Sequence, residues 1–251
     1  MRREIHIETD ADALCRAAAN ELVRAANAAV QAKGTCTVAL SGGSTPRRLY
    51  SLLVDEATLR TAVPWDQTQV FWGDERHVPP DHADSNYRMA NEAMLSKAPI
   101  ASTKVHRIAS ELPDASHAAT EYEQTLRDCF HLASGQLPRF DLVLLGMGPD
   151  GHTASLFPGT AALQERRRLV VANWVEKFAS YRITLTLPVL NNAACVIFLV
   201  NGEEKAQTLR TVLEKEAPSA PLPAQLICPT QGRLVWMVDR AAARLLSTDQ
   251  R

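Results

Sequence analysis

Short apolar runs rich in β-branched residues recur along this chain, and between them lie longer stretches in which alanine, leucine and charge repeat at helical spacing. A run such as Phe140 to Leu145 is apolar at almost every position, so both of its faces must be covered. That requirement points to a parallel sheet buried under helices. Strands are expected over Ile5 to Ile7, Thr35 to Leu40, Gln69 to Trp72, Phe140 to Leu145, Leu169 to Ala172, Ile183 to Leu187, Cys195 to Val200 and Leu234 to Val238. Helices are expected over Asp10 to Lys33, Pro46 to Leu53, Ser85 to Lys97, Asp114 to Leu132, Glu203 to Leu213 and Arg240 to Leu246.

A chain of 251 residues with 46% hydrophobic side chains buries a core of useful size as one domain, 1–251. The proline-rich stretch Pro218 to Pro229 is short and flanked by regular elements, and reads as a surface connection. With 27 basic and 28 acidic side chains the net charge is -1, so no global field draws the protein to nucleic acid or to an anionic membrane. Any anion must therefore be held by a local cluster. The five cysteines (Cys15, Cys36, Cys129, Cys195, Cys228) are scattered without a C-x-x-C pair, which suits free thiols in a reducing compartment. The start, MRREIHIETD, has no apolar run of the signal-peptide kind, and the expected location is cytoplasmic.

Three loops carry the chemistry. The first, Ser41-Gly42-Gly43-Ser44-Thr45-Pro46, follows a strand and opens a helix, with Pro46 at the first helical position and Thr45 just before it. Its glycines let amides and the Ser44 and Thr45 hydroxyls converge on an anion at the positive end of the helix. It lacks the lysine and spacing of a P-loop. The second, Gly73-Asp74-Glu75-Arg76-His77, stands at a strand end, where open α/β sheets place ligands. Arg76 suits a phosphate or carboxylate, Asp74 and Glu75 suit its orientation or sugar hydroxyls, and His77 and His82 read as solvated.

The third loop, Gly146 to Gly159, is the most informative. Gly146, Gly148 and Gly151 match G-x-G-x-x-G formally, but Pro158-Gly159 interrupts the chain where a dinucleotide-binding helix would have to continue. The alternative use of those glycines is to hold His152 on a tight turn with Asp150 two residues away, an arrangement suited to proton removal in ester hydrolysis. Ser155 lacks a G-x-S-x-G elbow and reads as structural.

Taken in order, SGGSTP, WGDER followed by DSNY, GMGPDGHTASLFPG and RITLTLPVLN resemble the 6-phosphogluconolactonase family, over nearly the whole chain. The resemblance implies a single-domain α/β fold with a Rossmann-like, mainly parallel sheet and helices on both faces, similar to sugar-phosphate isomerases and deaminases. It also implies no cofactor, and hydrolysis of 6-phospho-D-glucono-1,5-lactone in the oxidative pentose phosphate pathway. On the matching positions it makes His152 the catalytic base and Asp150 its neighbouring acid. It makes Ser41, Gly42, Gly43, Ser44, Thr45, Asp74, Arg76, Gly151, Lys177 and Arg182 the substrate-binding residues. The stretch before Arg182 lacks the prolines that many family members carry, which bears on the pose of Lys177.

The expected partner is thus a small-molecule phosphosugar lactone, with no nucleic acid and no membrane, and the expected assembly a monomer or small homo-oligomer. In the expected mechanism, neutral His152 takes a proton from water attacking the lactone carbonyl, while third-loop amides or a cation receive the oxyanion. Neither a metal nor a serine nucleophile is required. Deaminases of the same fold carry a glutamate five residues after the matching histidine, where Phe157 stands here, and a D-E-Y triplet in place of Asp74-Glu75-Arg76. A non-catalytic sensor would need an appendage, and the run Arg166-Arg167-Arg168 reads as a solvated face.

Overall fold

The computed structural model describes residues 3–214 and 220–247. Among them the strands are β1 (Arg3–Glu8), β2 (Cys36–Leu40), β3 (Thr68–Trp72), β4 (Asp74–Arg76), β5 (Leu142–Gly146), β6 (Val170–Val175), β7 (Ser180–Leu185), β8 (Cys195–Val200) and β9 (Arg233–Asp239). The helices are α1 (Ala11–Lys33), α2 (Ser44–Asp55), α3 (Ala57–Ala62), α4 (Asn86–Ala90), α5 (Ala115–Cys129), α6 (Leu187–Leu190), α7 (Ala206–Glu214) and α8 (Arg240–Ala243).

Six strands form one sheet in the order β1-β9-β8-β5-β2-β3, with every neighbouring pair parallel. The central strands β2 and β8 are buried at every residue, the burial that their all-apolar sequences require. Helix α1 lies on this sheet through Leu14, Ala18 and Leu22. The Asp10 carboxylate caps it by accepting from the amides of Asp12 and Ala13 at 3.0 and 2.9 Å, and Gly34 ends it at φ 78°. A second sheet, β4-β7-β6, is antiparallel and packs against α5. It branches from the first at Gly73, the residue between β3 and β4, whose carbonyl accepts from Leu185 N.

Hydroxyl groups fix the ends of three parallel strands. The Tyr50 hydroxyl donates to Ser41 O at 2.9 Å and accepts from Ser41 N at 3.0 Å, just past β2. The Tyr122 hydroxyl treats Trp72 the same way at the end of β3, at 3.0 and 2.8 Å. At the end of β5, Thr153 Oγ1 donates to Gly146 O at 2.8 Å.

The structure corrects several sequence expectations. Helix α2 begins at Ser44, ahead of Pro46, with Gly43 at the cap (φ 111°) and so no side chain to cap it, while the Thr45 hydroxyl donates to Asn201 Oδ1. Asp74–Arg76, expected as loop, pairs with β7. Leu187, expected to end a strand, starts α6, since Pro188 has no amide for a ladder. The helix expected over Ser85 to Lys97 is α4 followed by a wider π turn, Asn91–Leu95. In the stretch from Pro218 to Pro229, residues 218–219 lie outside those described, and the remainder packs against the third loop rather than merely crossing the surface.

Candidate active site

From β2 the chain moves outward to β3, and from β5 it moves outward the other way through β8 to β9. Ligands of open α/β sheets bind at such a reversal, beyond the carboxyl ends of the strands. A cavity of about 310 Å³ opens at that place, between the loops that follow β2, β5 and β8 and the start of β4.

The first loop lines one wall of the cavity with Ser41, Gly42, Gly43, Ser44 and Thr45. The first amides of a helix have no intrahelical acceptor, so those at the start of α2 are available to an anion, in the favourable field of the helix end. The Ser41 hydroxyl is buried without a partner among the described residues. Gly42 is needed for a steric reason: a Cβ there would overlap the Asn86 carboxamide.

In the second loop, Asp74 and Glu75 are buried, at 6% and 1% exposure. Burial raises the Glu75 pKa, opposed by the amides of Asn86, Tyr87 and Arg76 that donate to its carboxylate, with the Ser85 hydroxyl a fourth donor. This clamp joins β4 to the start of α4, so Glu75 is occupied by the chain itself and faces no ligand. Asp74 accepts from the Ser155 hydroxyl at 2.6 Å, which gives Ser155 the structural role expected of it. Arg76 lines the cavity and donates to Asp84 O at 2.6 Å. It stands opposite Arg182 in the β4–β7 register, and burial, then repulsion from Arg76, lowers the Arg182 pKa. His77 is half-buried, with its Nε2 2.7 Å from Leu112 O.

The third loop turns in place instead of starting a helix. Amides of Gly148, Gly151, Thr153 and Leu156 are bonded to carbonyls within the loop, and the His152 amide is bonded to Asp150 Oδ1. These amides are therefore spent within the loop itself. Gly151 adopts φ 76° and Ala154 φ 47°, a left-handed conformation that costs a non-glycine residue roughly 1–3 kcal/mol. A Cβ at Gly148 would fall on the His152 ring, so glycine there is what lets the imidazole occupy its place.

His152 lines the cavity, and its Nδ1 stands 2.5 Å from Asp150 Oδ1, while Nε2 has no partner among the described residues. Burial would raise the Asp150 pKa, but the bonds and charge of His152, with Lys177, outweigh it and hold the carboxyl below its ordinary range. Lys177 Nζ reaches Asp150 Oδ2 at 3.5 Å.

Of the residues named from sequence, Ser41 to Thr45, Asp74, Arg76 and His152 meet on the cavity wall. Asp150, Gly151, Lys177 and Arg182 stand behind or beside it: Asp150 on the far edge of His152, Gly151 against Leu222, Lys177 and Arg182 next to the Phe178 ring. Arg47 points away, toward Glu92. Sequence reasoning missed the loop after β8, where Asn201, Glu204 and Lys205 complete the wall. Lys205 has no ion-pair partner among the described residues. A signal for it was present, since Asn201 to Lys205 directly follow the all-apolar run CVIFLV, at the end of a parallel strand.

The family model for glucosamine-6-phosphate isomerases/6-phosphogluconolactonase matches residues 9–236. The chain is 41% identical over 247 residues to a 6-phosphogluconolactonase of Nostoc sp., covering 98% of this chain and 100% of that one. Its structure is similar to that of a 6-phosphogluconolactonase from Trypanosoma cruzi (TM-score 0.85, 30% identity, 98% of this chain and 97% of that one). A monomeric glucosamine-6-phosphate deaminase also superimposes (TM-score 0.78, 96% of this chain and 99% of that one), but at 19% identity that likeness speaks for the fold alone.

Proposed function

The chain belongs to the glucosamine-6-phosphate isomerase/6-phosphogluconolactonase family and hydrolyses 6-phospho-D-glucono-1,5-lactone to 6-phospho-D-gluconate, a step of the pentose phosphate pathway, and we propose that His152 is the base that activates the water. The observation that carries this reading is the opposed state of the two imidazole nitrogens. Nδ1 is held by Asp150, which selects the tautomer with the proton on Nδ1 and leaves a lone pair on Nε2 of a ring that lines the cavity. Water attacks the lactone carbonyl carbon as its proton passes to Nε2. The tetrahedral oxyanion then collapses, the bond to the ring oxygen breaks, and the imidazolium returns the proton to that oxygen. The products are the 5-hydroxyl and the carboxylic acid, which ionises.

The phosphate, in this reading, sits at the first loop, where the start of α2 and Lys205, which has no ion-pair partner among the described residues, line one cavity. That placement supports catalysis as well as binding, because anchoring the remote end fixes the carbonyl against the base. Arg76 supplies the positive charge nearest the second loop, and Arg182 and Lys177 add to the field from behind it. Cysteines without a disulfide, Cys15, Cys36, Cys129, Cys195 and Cys228, support a cytoplasmic setting.

The test is hydrolysis of freshly generated 6-phosphogluconolactone above its spontaneous background. A base of this kind supplies roughly 10² to 10⁴ in rate, so His152→Ala is expected to lose that factor while still binding 6-phosphogluconate. An intact rate in the variant would mean that another group is the base.

A further inference from the structure

His152 is held in two directions. Along its edge, Asp150 Oδ1 meets Nδ1 at 2.5 Å. Across its face lies the Phe157 ring, stacked at 4.2 Å between centroids and 22° between planes. The edge contact alone leaves the imidazole able to tilt about the line from Nδ1 to Oδ1, and such a tilt sweeps Nε2 out of line with a bound carbonyl. A flat ring against the imidazole face removes that freedom.

The local chain is shaped to bring the two rings together. Thr153 and Leu156 bond each other's backbone, with Ala154 left-handed between them, so the chain doubles back and returns Phe157 over His152. Thr160 N then bonds Phe157 O at 3.2 Å and closes the following turn. Phe157 is 6% exposed, yet it stands outside the main apolar core. Its ring contacts are His152 on one side and the edge of Phe178, at 5.8 Å and 73°, on the other. A phenylalanine buried for packing alone would join the core around the sheet. This one is buried against the imidazole.

We propose that Phe157 is a positioning residue for the hydrolysis: its stacked ring fixes the plane of His152, so that Nε2 keeps its aim at the attacking water. The proposal rests on His152 being the base, and its test separates the two. Phe157→Leu keeps an apolar side chain but removes the flat face. It is expected to lower kcat about 10- to 100-fold, the scale of a misplaced catalytic group, with KM for 6-phosphogluconolactone within threefold of wild type. Phe157→Tyr, which restores a ring, is expected to recover most of the loss. The NMR signals of the His152 ring protons, assigned by their absence in His152→Ala, should lie upfield in the wild type through the ring current and move downfield in Phe157→Leu. If the leucine variant does not fold, Phe157→Met supplies the same comparison.

A kcat within twofold of wild type in a folded variant overturns the proposal, as does a rise in KM without a fall in kcat. Unshifted His152 signals in the wild type overturn it by removing the stack. An intact rate in His152→Ala, by contrast, defeats the assignment of the base itself.

Discussion

The loops after β2 and β5 leave neighbouring parallel strands and face the same cavity, yet they are built on opposite plans. After β2 the chain enters a helix of 12 residues almost at once, so its first amides are left unbonded and turned toward solvent. After β5 the chain spends its amides on itself and presents a side chain, His152. The first plan makes a cradle that any compact anion fits, and needs little side-chain chemistry. The second presents one imidazole in a fixed direction, and needs support on every side. One loop is suited to holding and the other to reacting.

Changes on the two walls of the cavity are therefore expected to separate into KM and kcat effects. The largest effect is expected from Gly148→Ala, whose Cβ displaces the His152 ring: kcat should fall about 10²-fold or more while binding of 6-phosphogluconate persists. A variant that keeps its rate would show that the ring tolerates displacement. Next is Lys205→Met on the opposite wall, expected to raise KM roughly tenfold, about 1.4 kcal/mol of binding, with kcat little changed. A fall in kcat alone would break the division.

Tyr50→Phe tests the frame under the first loop. Removing the hydroxyl leaves the buried amide and carbonyl of Ser41 without that partner, so urea denaturation should report a loss of about 1–3 kcal/mol. The rate per folded molecule should change little. The smallest effect is expected from Asp150→Asn on stability against pH. The Asp150 pKa is depressed in the fold, so its contribution is present above the unfolded value of about 4 and is lost as pH falls through the folded one. Urea curves between pH 7 and pH 3 should show a shallower acid decline in the variant. An unchanged decline would mean that other carboxylates carry it.

The parallel sheet was legible because all-apolar runs have one structural solution: six of the eight expected strands lie within or largely overlap its strands, while Leu169 to Ala172 and Ile183 to Leu187 fall on β6 and β7 of the antiparallel sheet, the second overshooting into α6. The strand Asp74–Arg76 was not, since three polar residues carry no periodicity and their pairing is decided by β7, more than a hundred positions later. Thr45 reads locally as a cap, but the helix starts at Ser44 and the Thr45 hydroxyl donates to Asn201. At the site, His152 stood out because glycines and an acid frame it in sequence. Lys205 has no such frame and becomes visible only when β8 is seen to end at the same cavity.

The props of the third loop are remote along the chain. Thr208 Oγ1 donates to Pro149 O across a separation of 59 residues, and Ala224 N donates to Gly151 O, with Leu222 against Gly151 itself. Contacts of such long range form late, because the intervening chain must be ordered before they repay its entropy. During synthesis the strand that leads to His152 emerges well before the segments that brace it. The turn that carries His152 is therefore expected to be among the last parts of the molecule to set, and a nascent chain released before residue 208 would carry His152 on a loop without these props.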